Sequence, residues 1–174
     1  MLSHVGPEIS KHVRASPQGY LKPPMSQFLG AHQNRLDAKG RVSIPALFRT
    51  ELKKLDALGT LVLRPSHSLA CIEAWPVPVF ETLEKPLQEL PDFSEEQIDL
   101  AATIYAGACR LEADKDGRVM LTDEMIAHAN LSDAVTFLGL GRMFHIWEPS
   151  AAVIFQAEAR ERANARRAAK AVAA

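Results

Sequence analysis

Two short stretches hold the residues best suited to recognition chemistry. The first is Asn34-Arg35-Leu36-Asp37-Ala38-Lys39-Gly40-Arg41-Val42-Ser43-Ile44-Pro45, and the second is Arg110-Leu111-Glu112-Ala113-Asp114-Lys115-Asp116-Gly117-Arg118-Val119-Met120-Leu121-Thr122. In each, an Asp stands three residues ahead of a Gly that is followed at once by Arg and then by strand-type residues. Asp at the first position of a four-residue turn can bond back to the backbone, and Gly at the fourth accepts a positive φ without a Cβ clash. Asp37, Gly40, Asp114 and Gly117 are therefore read as turn-forming residues. The Arg sits at the mouth of the outgoing strand. A guanidinium held on a tight turn loses less freedom on meeting a phosphate or a base edge than one on a floppy loop.

The flanking elements must hold these turns. Residues 27–36 read as the entering strand and Arg41-Val42-Ser43-Ile44 as the returning one, because Val42 and Ile44 alternate with Arg41 and Ser43. Pro45 suits the first turn of a helix, where a missing N–H costs little. Phe48, Leu52 and Leu55 then recur on one face of a short amphipathic helix that Gly59 closes. Two further strands follow, 61–64 and 69–75, around a turn at 65–68. Pro76, Pro78, Pro86 and Pro91 punctuate the next region, where Val79, Phe80, Leu83, Leu87 and Leu90 are spaced for one helix. Ser94-Glu95-Glu96-Gln97 is a capping-box signature, predicting a second helix from Glu95 to about Tyr105.

The same order then repeats. Phe28-Leu29-Gly30 answers Tyr105-Ala106-Gly107, Asp37 answers Asp114, Gly40 answers Gly117 and Arg41 answers Arg118, all at one offset, which marks an internal duplication. Thr122-Asp123-Glu124 caps a short helix carrying Met125, Ile126, Ala129 and Leu131. Residues 135–139 and 143–147 form a closing hairpin, and an Ala-rich, helix-prone segment starts at Ser150. The resulting division is a disordered arm over 1–24, a first repeat over 25–83, a helical connector over 84–106, a second repeat over 107–156 and a basic tail over 157–174. Met25, at the end of the arm, is a second candidate start of translation; detection of native peptides from residues 1–22 by mass spectrometry would assign the start to Met1.

Bulk composition narrows the function classes. With 174 residues and 47% hydrophobic content, the chain suffices for one ordinary domain or two small units sharing a core. The net charge of −1 conceals basic ends: residues 1–24 carry +2 and residues 156–174 carry +3, leaving an acidic body of −6. A wholly basic nucleic-acid-binding surface is thereby disfavoured, while local cationic turns are not. Cys71 and Cys109 form no C-x-x-C pair and read as reduced, buried thiols of a cytosolic protein. No apolar run approaches the ~18 residues of a membrane span, and the first residues lack the apolar block of a signal peptide. His32, His67, His128 and His145 lack metal-ligand spacing, Ser66-His67-Ser68 lacks a nucleophile elbow, and Gly139-Leu140-Gly141 is a hairpin turn rather than a phosphate loop. The expectation is of no enzyme, no metal, no cofactor and no small-molecule substrate.

With both copies laid out, the sequence resembles the MraZ family. The resemblance is carried by Phe28-Leu29-Gly30, by Asp37 through Ala46 with Phe48-Arg49, by Asp114-Lys115-Asp116-Gly117-Arg118 and by Ile146-Trp147, and it covers roughly residues 25–156. It implies a mainly β fold with short helices (α+β): a pseudo-twofold, swapped-hairpin AbrB-like β-barrel built from two repeats, with helices outside. It further implies a ring-shaped homo-oligomer, cytoplasmic and nucleoid-associated, that binds double-stranded DNA at short direct repeats and regulates transcription of its own division and cell-wall operon. Carried over by position, the DNA-binding candidates are Lys39, Arg41, Arg35, Arg118 and Lys115.

The copies differ in charge. Residues 35–41 carry +2, whereas residues 112–118 carry −1, chiefly because Asp116 stands where the first copy has Lys39. Thr122 likewise replaces Pro45. The expectation is that the first turn leads in DNA contact while the second is mainly architectural, with Arg118 paired to Asp114 or Asp116. For Arg49, an ion pair with acidic residues near Lys53 is the commoner fate, and the basic tail reads equally as a phosphate contact or a solubilising helix. A rival reading, an oligomeric protein-interaction or scaffold module with the same barrel and no DNA reading, stays open.

Overall fold

Residues 27–55 and 60–172 are described by the computed structural model; the N-terminal arm, Met25 and Gly59 lie outside the described residues. The entering strand starts later than its composition suggests. Phe28 makes only an isolated bridge to Gly141, and Gly30 adopts φ +84°, so β1 spans Ala31–Arg35. After the first turn come β2 (Arg41–Ser43), α1 (Ala46–Lys54), β3 (Thr60–Pro65) and β4 (Ile72–Pro76). Pro45 stands one residue before α1 rather than inside it.

The connector is more broken than expected. Instead of one helix it forms α2 (Val77–Phe80), a 3-10 turn (Glu81–Glu84) and α3 (Lys85–Gln88), with Pro78 and Pro86 each in the first turn of a new segment. Helix α4 then runs Glu95–Tyr105, capped as read: the Ser94 hydroxyl accepts from the Gln97 N–H at 3.2 Å. The second half supplies β5 (Cys109–Glu112), β6 (Arg118–Met120), α5 (Asp123–His128), β7 (Ala134–Gly139), β8 (Phe144–Trp147) and α6 (Pro149–Val172). At α5 the Thr122 hydroxyl accepts from the Met125 N–H at 3.2 Å, so Thr122 starts its helix by a side-chain cap and Pro45 by its ring.

Strand pairing ties the halves together by exchange. Six strands form one antiparallel sheet in the order β1-β7-β8-β4-β3-β5, and β2 pairs with β6 in a separate two-stranded ribbon. Strand β1 of the first half pairs with β7 of the second, while β5 of the second pairs with β3 of the first. The registers correspond: His32 opposes Phe137 as Cys109 opposes Leu63. An approximate twofold axis therefore passes near the pairs Val42–Val119 and Glu73–His145, each of which joins equivalent positions of the two halves. Among the described residues the strand order is open, with β1 and β5 as its two edges, and the fold is mixed α/β: an antiparallel sheet with several short helices and one long one, α6, of 24 residues.

The inner core is shared. Phe28 and Phe48 from the first half pack with Phe144 from the second at centroid separations of 5.0–5.3 Å, and Phe137 completes the cluster. Gly139 lets the hairpin pass under this cluster: a Cβ there would collide with the Phe28 carbonyl, and its N–H bonds Gly30 O at 2.8 Å. On the outer face, α2–α4 cover Val62 and Trp75, and α6 covers Leu138 and Trp147. A buried ion pair pins α4 to the sheet, with Arg64 Nε donating to Glu73 at 2.8 Å and Arg64 Nη1 to the Thr103 carbonyl at 2.9 Å. Among the described residues, no helix is long and apolar enough to cross a membrane.

Candidate nucleic-acid interface

The two turns share one geometry. In the first, Asp37 Oδ1 accepts from the backbone N–H groups of Lys39 and Arg41, both at 2.9 Å, and Oδ2 accepts from Arg41 Nε at 2.8 Å. The Gly40 N–H closes the turn on the Asp37 carbonyl at 2.9 Å with Gly40 at φ +76°. In the second, Asp114 holds Asp116, Arg118 and the Arg118 Nε in the same way, each at 2.9 Å, and Gly117 takes φ +74°. The Arg41 N–H, and then its guanidinium, hold the Asp37 carboxyl below its usual range; Arg118 does the same for Asp114. Each Asp thus both shapes the turn and fixes the direction of the Arg that follows, a side-chain pairing the sequence reading did not anticipate for Arg41.

The arginines then part ways. Arg41 uses Nε alone, and no second ion pair engages it among the described residues. Arg118 is held twice, since Nη2 also meets Asp116 Oδ2 at 2.6 Å. Both expected acidic partners are present, and Asp114 first, with Asp116 adding to it, makes the Arg118 guanidinium still harder to deprotonate.

The exchange of strands brings both arginines to one ribbon. Arg41 lies opposite Met120 and Ser43 opposite Arg118, while Val42 and Val119 between them point into the core at 1% exposure. Strand alternation puts Arg41, Ser43, Arg118 and Met120 together on the outer face, with Arg41 and Arg118 diagonal neighbours about 7–8 Å apart. Met120 is 61% exposed there. Lys39 stands exposed at the first turn and Lys115 at the second, and Arg35 ends β1 opposite Ala134, exposed beside Asp133.

Helix α1 supplies what the second turn lacks. Arg49 crosses from the first half, lies over Gly117 where a Cβ would collide with it, and donates from Nη1 to the Asp116 carbonyl at 3.2 Å. Arg49 and Lys53 line a groove of about 370 Å³ with Asp114, Lys115 and Asp116. Among the described residues no ion pair is seen for Arg49, and Glu51 pairs with Lys54. At the first turn the corresponding neighbour is apolar, Ile126 of α5 beside Gly40. The basic helix thus sits on the acidic turn. The repeat offset alone could have flagged Arg49 against Ile126, but only the exchanged packing says which turn each serves.

Two Asp-pinned arginines on one ribbon, each turn backed by the other half's helix, define an internally duplicated protein whose β-ribbon carries both arginines on its outer face. The family model of the MraZ protein, described as antitoxin-like, matches the chain twice, over residues 27–101 and 104–173. The chain belongs to the MraZ family. It is 56% identical over 142 residues to the transcriptional regulator MraZ of Gluconacetobacter diazotrophicus, covering 80% of this chain and 90% of that protein. It is 53% identical over 142 residues to the protein of the same name from Gluconobacter oxydans, covering 80% and 87%, and 36% identical over 141 residues to that of Pelagibacter ubique, covering 81% and 90%.

Proposed function

We propose that the chain is a double-stranded DNA-binding transcriptional regulator that reads short direct repeats upstream of its own operon, works as a ring-shaped homo-oligomer on the nucleoid, and catalyses no reaction. The observation that carries this reading is the β2–β6 ribbon with Arg41 and Arg118 on its outer face. A two-stranded ribbon is narrow enough for the major groove of B-DNA, where Arg pairs with guanine and an apolar side chain meets the thymine methyl. Asp37 spends Nε of Arg41 on orientation and leaves its two terminal nitrogens for a base edge or phosphate. The names of the relatives, transcriptional regulator MraZ, support the same role.

Within this reading the division into arm, two repeats, connector and tail is retained, with the ribbon as the missing wall of an AbrB-like, barrel-like fold. The first turn leads: Arg41, Lys39 and Arg35 make the contacts, and Arg118 with Lys115 contributes less because Asp114 and Asp116 occupy it. A gel shift with DNA from upstream of the gene tests both levels. Arg41→Ala should cost about 1–3 kcal/mol of binding and lower the salt slope by about one unit. Arg118→Ala should cost distinctly less. Equal losses would sink the ranking of the turns, and no shift with either the native chain or the variants would favour the scaffold reading.

A further inference from the structure

We propose that the groove on the connector receives helix α6 of a second copy of the chain, head to tail. The proposal rests on the ring reading above and names its contact. The groove, about 510 Å³, is floored by Leu87, Ile98, Ala101 and Tyr105, with Glu84 and Asp92 at its edge. Ile98 is 56% exposed, and next to Asp92 stands Phe93, 90% exposed and at φ +60°. A bulky aromatic rarely holds a left-handed backbone and rarely stands in water. Here the Phe93 N–H is tied to Gln97 Oε1 at 2.8 Å, which holds the backbone that presents the exposed ring. Exposed aromatics on a held backbone are common anchors of protein contacts.

The complementary surface is on the same chain. Helix α6 is packed only near its start; residues 160–171 are exposed on every side. A polar helix without a buried face bridges to another body, is held by many i,i+4 pairs or is unstable alone, and α6 shows one such pair among the described residues, Arg162 with Glu158. Val153, Ala157, Arg160, Asn164 and Arg167 follow one another along one face at helical spacing, apolar first and basic beyond. Val153 is 67% exposed, and Arg160 and Arg167 make no ion pair among the described residues. Charge fits as well: residues 81–99 of the connector carry −6, and residues 158–170 of α6 carry +3. The connector leaves β4 as α6 leaves β8, so the two surfaces are twofold equivalents on opposite halves. A copy that docks its helix leaves its own groove open for the next, and such heterologous contacts make rings when the rotation closes.

Light scattering and sedimentation of the full chain at fixed salt test this. Arg160→Glu with Arg167→Glu should lower the assembly constant at least tenfold, as should Glu84→Lys with Asp92→Lys, and all four together should recover most of it. Phe93→Asn, which suits a positive φ, should weaken assembly while the protomer's melting temperature holds or rises. Unchanged mass in every variant, or no recovery in the combination, overturns this contact and leaves the ring standing. A native chain that is monomeric at micromolar concentration overturns the ring and the contact together. If the α6 variant loses DNA affinity with its mass unchanged, the helix serves DNA, and the proposal is likewise overturned.

Discussion

At the scale of single residues, the Asp of each turn matters as much as the Arg. Its two oxygens divide the work, Oδ1 for the backbone and Oδ2 for the guanidinium. That the Asp-x-x-Gly-Arg spacing makes a turn is legible from the residue types; that the Arg bends back onto its own Asp is not, because a solvated guanidinium has many directions open to it. Arg49 was equally hidden, since its destination lies across the exchange, 67 residues away in sequence. Removing it should act on the second turn alone. Arg49→Ala is expected to leave the fold within about 1 kcal/mol, as for other half-exposed polar contacts, and to make the DNA affinity of Arg118→Ala and native chains converge. A double-mutant cycle reads this as a non-additive pair; strict additivity of the two substitutions would remove Arg49 from any role at that turn.

At the scale of elements, capped helices were the most legible. Ser94 and Thr122 announce α4 and α5 because a short hydroxyl side chain satisfies an orphan N–H there and almost nowhere else. The connector was misread since apolar spacing at Val79, Phe80, Leu83 and Leu87 suits one helix, yet Pro86 lacks the N–H that would continue it. Gly139 passed for an ordinary hairpin residue although it is a point of backbone contact. Gly139→Ala should cost roughly 1–3 kcal/mol by urea denaturation, the range of an overpacked core, while Gly141→Ala, with open space but φ +79°, should be strained through its backbone alone. The β4–β8 pair adds a pH response. Burial depresses the His145 pKa, so the unfolded chain takes up that proton first, near its ordinary value of about 6.5. Stability contributed by neutral His145 is therefore full above that pH and declines below it. Burial also works against the Glu73 charge, but the neighbouring Ser66 hydroxyl, the Arg64 guanidinium and the Trp75 indole N–H together outweigh it and hold its pKa low. Its contribution is full above about pH 4.3 and is lost below. Urea midpoints should thus fall in two stages on acidification, and His145→Phe should remove the upper one; an unchanged upper stage in that variant would assign it elsewhere.

At the scale of the whole molecule, the duplication was plain from the constant offset, whereas the exchange was not: sequence period says which strands are alike and nothing about which pair. The exchange leaves neither half with a core of its own, because the phenylalanine cluster takes members from both. Residues 27–106 and 107–172, made separately, should each lack cooperative melting, and mixing them should restore it; a folded first half alone would show that the halves are independent. Ring assembly makes a further demand on DNA. If several Arg41 side chains engage successive repeats, affinity should climb steeply from one repeat to several through effective concentration, and identical affinities would rule out a multivalent mode. The pairing of β1 with β7 also bears on synthesis. As the chain leaves the ribosome, β1 and β3 each wait for a strand that has not yet been made, so their backbone edges and Phe28 and Phe48 stay uncovered until the second half emerges. Translation speed through the connector, with its prolines, then sets how long the nascent first half is exposed to aggregation and to chaperones.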